Sequence, residues 1–172
     1  MTTDATLFSK LARIWRHRWI DESEVRRALP EAVMQRLTGR VKANTGLVVA
    51  EHLPTQMRLS ESTLDLRSAA CLLERHWTEL DRRARERLTV TLEDMRYWRA
   101  EDAYASRLAV RAVDRIMEGT GGSAYYRHQG LQRFRRDLHV ANQHTFLDCD
   151  GAYQVLARDL LGLPRDPNLM FS

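Results

Sequence analysis

Between Thr120 and Asp148 the chain gathers more chemically capable residues than anywhere else: a Gly121-Gly122-Ser123 turn, Tyr125-Tyr126, arginines 133, 135 and 136, and two histidines, His139 and His144. Adjacent glycines let a backbone approach a bound molecule closely. Arginine forks onto phosphate or carboxylate, and imidazole exchanges a proton near neutral pH. His139 and His144 lie five apart, which does not put both on one helical face, and no cysteine or carboxylate stands at ligand spacing, so no metal is expected. No Ser-His-Asp set, phosphate loop or zinc pattern is visible. Each of these features also has a plain structural reading. Gly121-Gly122 ends a helix, His144 satisfies a local hydrogen bond, and Arg133, Arg135 and Arg136 make a solvated or inter-subunit face.

The elements that must position this stretch are helical. Leu66, Ala70, Leu73, Trp77, Leu80 and Ala84 recur in steps of three and four, which predicts a helix over 63–87. A second is expected over 92–118, with Ala105, Leu108, Ala109, Ala112, Val113 and Ile116 inward and small residues allowing close approach. Glycine at 119–122 stops it. A third is expected over 131–147 (Leu131, Phe134, Leu138 and Ala141 inward), and a fourth over 151–161, ended by Gly162 and Pro164. Short connections argue for an antiparallel bundle.

Residues 1–57 read as a short helical N-terminal extension. The apolar spacing of Leu7, Leu11, Ile14 and Trp15 predicts one helix, and Trp15 and Trp19 are expected to pin it onto the bundle. Asp21 to Glu24 start a second helix ending near Leu29, and Pro30 opens a third that Thr45-Gly46 breaks. Leu47-Val48-Val49-Ala50 is the one β-like run, too short to form a sheet alone. Pro54 to Glu61 is expected as a linker, with Ser60 to Thr63 able to cap the next helix.

A formal charge of +4, almost all of the basic side arginine, raises the question of nucleic acid. The arginines alternate with Asp and Glu along the helices, the pattern of solvated faces, so nucleic acid is not the expected partner. No apolar run approaches the ~18 residues of a membrane span, and a cytoplasmic location is expected. Cys71 and Cys149, far apart within apolar patterns, are expected as buried thiols.

Residues 62–172 resemble the C-terminal helical domain of the acyl-CoA dehydrogenase superfamily. The residues that carry the likeness are Arg111-Ala112-Val113-Asp114, Gly121-Gly122-Ser123-Ala124 with Tyr126, Leu131-Gln132-Arg133-Phe134, Arg136-Asp137, His139, His144 and Leu161-Gly162-Leu163-Pro164. The closest subgroup is the flavin-dependent monooxygenases that hydroxylate aromatic substrates. True dehydrogenases carry Gln where this chain has Glu118. Several carry a catalytic Glu in a Tyr-Glu-Gly-Thr motif where this chain has His144-Thr145-Phe146. More weakly, residues about 6–50 resemble the start of bacterial TPM-domain proteins. That likeness runs through Trp15-Arg16-His17-Arg18-Trp19, Asp21-Glu22, residues 26–30, Arg36-Leu37-Thr38 and Arg40-Val41.

The first resemblance implies FAD or reduced flavin as cofactor. It implies contacts from Gly121, Gly122, Ser123 and Arg136, and His144 as the catalytic residue supporting the oxygenated flavin. It also implies a homo-oligomer, dimer or tetramer, built through the bundle, and a flavin reductase or a separate flavin-domain chain as partner. The superfamily's N-terminal helical domain and central β-barrel have no counterpart in these 172 residues. The expectation is therefore an all-α, antiparallel four-helix bundle at 62–172 with a helical extension at 1–57, acting as part of a flavoprotein. The alternative is a non-enzymatic helical module that self-associates or pairs with a separate flavoprotein.

Overall fold

A computed structural model describes residues 33–126 and 130–171. The helices expected before residue 30, with Trp15 and Trp19, lie outside the described residues. Residues 33–38 are helical, a few residues shorter than the pattern to Val41 suggested. Val41 and Val48 then form one isolated antiparallel bridge, and Val49–Glu51 is a 3-10 turn. The β-like run thus makes a single bridge, as its length requires.

Next come four helices: α1 Leu53–Glu86, α2 Leu92–Thr120, α3 Gly130–Ala141 and α4 Cys149–Leu160. With 3-10 turns between them and no strand among the described residues, the protein is all-α. The expected linker is instead the start of α1. Pro54 sits in its first turn, where a backbone N–H has no helical partner to lose. Ser62 is fully buried, and the Thr63 hydroxyl donates to the Leu59 carbonyl at 2.8 Å, so residues that often cap a helix are absorbed inside one. Arg87, left-handed at φ 54°, ends α1. Thr91 then opens α2 with a reciprocal capping box to Asp94. α3 stops at Ala141, short of the expected 147, and Asp148 accepts from the amides of Asp150 and Gly151 to begin α4 earlier than its apolar pattern indicated.

α2 is the central element and packs on α1, α3 and α4. Its partners on α1 descend in number as α1 ascends. Asp65 bonds Arg111 and Arg115, His76 bonds Asp102 and Arg83 bonds Asp94, so the pair is antiparallel. Ala69, Ala105 and Leu108 form the narrow part of that interface, where small side chains permit close contact. The main core joins Val113, Ile116 and Met117 of α2 to Leu131 and Leu138 of α3, and to Val33, Leu37 and Val49 before α1. The segment around 33–49 therefore shares its core with the bundle.

Several side chains depart from expectation. Cys71 is exposed and Cys149 only partly buried, its thiol donating to the Ala103 carbonyl at 3.4 Å. Cys71 faces away because the α1 stripe on α2 runs through Ala69, Ala70 and His76. Leu160, at the end of the apolar pattern of α4, is exposed, and Tyr125 and Tyr126 also lie on the surface of this chain.

Met117 is 1% exposed at the junction of α1, α2 and α3. Met117→Ala should lower unfolding free energy by about 2–5 kcal/mol. Urea denaturation of the two proteins will show this as a lower midpoint at unchanged slope.

Candidate functional site

The glycine turn is built by three segments that are distant in sequence. α2 ends at Thr120, and Gly121 takes φ +72°, a conformation costly for residues with a β-carbon. The Arg40 guanidinium donates to the Thr120 carbonyl. That carbonyl belongs to the helix end where unsatisfied acceptors and the negative pole of the dipole lie, so a cation there is favourable. The same guanidinium occupies the space into which a β-carbon on residue 121 would project. Two steps on, the Ser123 hydroxyl accepts from Arg36 at 2.6 Å. Gly122, by contrast, has no atom of the described residues within 4 Å of the place a β-carbon would take.

Beyond the turn, residues 122–125 pack on α3. Tyr125 and one face of α3 enclose an open cleft of about 430 Å³, whose wall includes Gln132, Arg135, Arg136, His139 and Gln143. Asp114 of α2 braces that wall. It accepts from Arg135 Nε at 2.6 Å and from His139 Nε2 at 2.9 Å. Burial pushes the Asp114 carboxyl up, but these two bonds outweigh it and hold the group below its ordinary value of 3.8. Arg136 pairs with its neighbour Asp137 at 2.9 Å on the exposed side.

His144 comes after α3 and caps the 3-10 turn Thr145–Leu147. Its Nδ1 accepts from the Phe146 amide at 3.3 Å, which leaves the proton of the neutral ring on Nε2, the donor form. Its ring lies 6.5 Å from that of Phe146, and Phe146 meets Phe171 edge-on at 5.6 Å.

Of the residues predicted from sequence, Arg136 lines the cleft. Gly121, Gly122 and Ser123 stand at the C-terminal end of α2 and are not among its lining residues. His144 precedes Thr145, whose carbonyl accepts from Arg99, 21 residues before Thr120 on the same helix, so the structure does not bring the histidine and the glycine turn together. Sequence reasoning missed Arg36, Arg40 and the Asp114 brace. Arg36 and Arg40 lie some 80 positions from their partners, beyond the reach of helical periodicity. Asp114, at least, carried a signal: it falls about one helical turn before Met117 and belongs to the Arg111-Ala112-Val113-Asp114 stretch that carries the resemblance.

A second cleft opens between α1 and α2. There the ring of buried His76 packs at a tilt against Trp98, 4.6 Å between centroids, and its Nδ1 bonds Asp102 at 2.8 Å. Burial raises the Asp102 carboxyl, and the bond from His76 offsets only part of that. Among the described residues no group of three or more His, Cys, Asp or Glu is placed to hold a metal. Nor is any helix among the described residues long and apolar enough to cross a membrane.

With this geometry in view, residues 25–149 match the family model described as acyl-CoA dehydrogenase, C-terminal domain. The chain belongs to that family. The match takes in residues 25–50, so about half of the stretch likened to TPM-domain proteins is part of the acyl-CoA dehydrogenase C-terminal domain. One relative is the oxygenase component of p-hydroxyphenylacetate 3-hydroxylase from Acinetobacter baumannii. It is 34% identical over 140 residues, covering 81% of this chain and 33% of that protein. A pigment production hydroxylase from a Rhodococcus species is 30% identical over 144 residues, 83% of this chain and 37% of its own. Among solved structures, XiaF from Streptomyces, in complex with FADH2 and glycerol, superposes with a TM-score of 0.75 at 21% identity over 87% of this chain and 37% of that one. The HsaA monooxygenase from Mycobacterium tuberculosis gives 0.68 at 23%, covering 81% and 36%. The acyl-CoA dehydrogenase C-terminal domain here therefore spans about a third of the length of these relatives.

The turn and the brace each generate a test. Gly121→Ala meets both the positive φ and the Arg40 guanidinium, and should cost about 1–3 kcal/mol. Gly122→Ala should stay within about 0.5 kcal/mol; thermal melts of both will compare them. Asp114 and Asp65, the latter held low by Arg111 and Arg115, have folded values below their unfolded ones. Their stabilisation is present above about pH 4 and is lost as pH falls through the folded values. A urea-midpoint profile from pH 6 to 2 should fall less steeply for Asp114→Asn than for the parent.

Proposed function

We propose that this acyl-CoA dehydrogenase C-terminal domain contributes one face of a flavin site in an aromatic hydroxylase, and assembles the oligomer that completes it. The observation that carries the reading is the glycine turn, open at Gly122 among the described residues, in a chain whose relatives include proteins named as flavin-dependent monooxygenases.

The residues present fit a flavin nucleotide in their chemistry. Gly122 offers backbone that a ligand can approach without a side chain in the way. Gly121 and Ser123 fix the path of that backbone, and Arg40 and Arg136 supply positive charge suited to phosphate oxygens. Bound flavin would supply the redox chemistry by which oxygen is activated. The chain's own part is to bind, orient and exclude water. Arg40 and Arg36 hold the turn, while His144 presents Nε2–H as a hydrogen-bond donor. The edge-packed Phe146 and Phe171 keep the flank of that histidine apolar.

Two relatives are named as an oxygenase component and an oxygenase subunit. A component of that kind takes its electrons from elsewhere, which favours a separate flavin reductase as partner. Exposed Tyr126, Val140, Leu160, Leu161 and Leu163 favour self-association, as a dimer or tetramer. They equally support the second reading, a helical module that assembles without binding flavin.

Titrating the purified chain into FAD, and into reduced flavin under anaerobic conditions, with light scattering on the same samples, separates the readings. Saturable fluorescence quenching, weakened about tenfold or more by Gly122→Val, supports the flavin site. Oligomers without quenching support the assembly module, and a monomer without quenching contradicts both.

A further inference from the structure

The cleft between α1 and α2 carries charge opposite in sign to that of the whole chain. Glu79, Glu93, Asp94 and Glu101 line it against one cation, Arg75, in a protein whose formal charge is +4. The fold uses only part of this carboxylate set. Glu79 bonds Arg82 and Arg83, and Asp94 bonds Arg83 and Thr91. Glu101 gives Arg75 its Oε1 alone, and Glu93 bonds no side chain among the described residues. Glu93, Tyr97 and Glu101 recur at steps of four on one face of α2, so the positions bearing the two open carboxylates lie about 12 Å apart along the helix axis. Tyr97 and Trp98 come between them and also line the cleft. Trp98 already seats one cation, the Arg83 guanidinium, 5.3 Å from its ring centroid.

A second observation marks the Glu101 end. His76, 7% exposed, donates from Nδ1 to Asp102, which is not part of the cleft wall. In the neutral ring that leaves Nε2 as a lone-pair acceptor. Nε2 bonds nothing among the described residues and is not sealed from solvent, so it opens on the cleft that His76 lines. An acceptor this deeply set is costly until a donor reaches it.

We infer that this cleft binds a linear aliphatic polyamine, with one ammonium between Glu101 and His76 Nε2, another at Glu93, and the methylene chain laid across Tyr97 and Trp98. Apart from Arg75, the groups the wall leaves open are acceptors or aromatic faces, and an ammonium has donors only. A compact metal ion is not matched, because no three ligating side chains converge among the described residues. Two open carboxylates spaced along a helix call instead for two charges on one stem, and extended spermidine spans a comparable distance between its terminal nitrogens. The rings add cation–π attraction and cover methylenes that water would otherwise surround. A volume of about 390 Å³ accommodates such a chain. No residue of the glycine turn or of α3 takes part, so the site stands or falls independently of the flavin reading.

Isothermal titration calorimetry on the full chain, with spermidine, putrescine and magnesium chloride as probes, tests this. Spermidine should bind at a single site, more tightly than the shorter putrescine, and magnesium chloride should displace it no better than sodium chloride of equal ionic strength. Glu93→Gln and Tyr97→Ala, both at exposed positions, should each weaken spermidine about threefold or more, and together about tenfold or more. His76→Phe, which keeps a ring against Trp98 but no acceptor, should weaken it as well; circular dichroism checks its folding, and the two exposed variants decide the question if it does not fold. Glu118→Gln removes an equal charge near the far end of α2 and should leave the affinity unchanged. No saturable binding of spermidine, preferential displacement by magnesium, an equal loss in Glu118→Gln, or an affinity unchanged in the Glu93→Gln, Tyr97→Ala double variant overturns the inference.

Discussion

The Arg40 guanidinium lies where residue 121 would place a β-carbon, and the architecture around the site depends on that substitution of one group for another. A helix of 29 residues ends with acceptors that have no partner of their own. An arginine delivered from before α1 satisfies one of them, and glycine supplies both the positive φ and the room. The positive φ alone calls for glycine at 121, and the Arg40 guanidinium adds a second reason by occupying the space beside it.

Polar bridging at the helix contacts obeys the same logic. Arg96, buried, donates to the Phe171 carbonyl at 2.9 Å and pairs with Asp159, while Arg99 reaches the Met170 carbonyl at 3.2 Å. These two arginines tie the C-terminal residues onto α2. Asp65 between Arg111 and Arg115, and Asp114 between Arg135 and His139, join α2 to its neighbours on either side. Ion pairs of this kind add little net stability, but they link helices whose narrow contact is made largely of alanine. Much of the arginine-rich composition is thus used within the fold.

How much of this was legible in the sequence depended on distance along the chain. The apolar stripes of α2 and α3 are local, and Leu108, Ala112, Val113, Leu131 and Leu138 fell inside as their periodicity required. Boundaries failed where local residues have two uses. Ser60 to Thr63 looked like a cap and became mid-helix, because nothing local reveals that Ser62 faces a neighbouring helix. Leu160 fits the stripe of α4 yet is exposed, since the described chain offers no element to cover it. The glycine turn and the histidine were recognisable by type and order. Arg36 and Arg40 were not, because their partners are some 80 residues away and an arginine before a turn carries no mark of where its side chain goes.

The most direct test of the paired turn is a double-mutant cycle on Arg40 and Gly121, read as unfolding free energy by urea denaturation of the parent, Arg40→Ala, Gly121→Ala and the double variant. If the guanidinium fills the place of the missing β-carbon, removing it relieves the alanine, and the double variant will be more stable than the sum of the single effects by about 0.5–3 kcal/mol. Effects that add to within about 0.3–0.5 kcal/mol would show the two residues to be independent, and the coupling of Arg40 to Gly121 would be wrong.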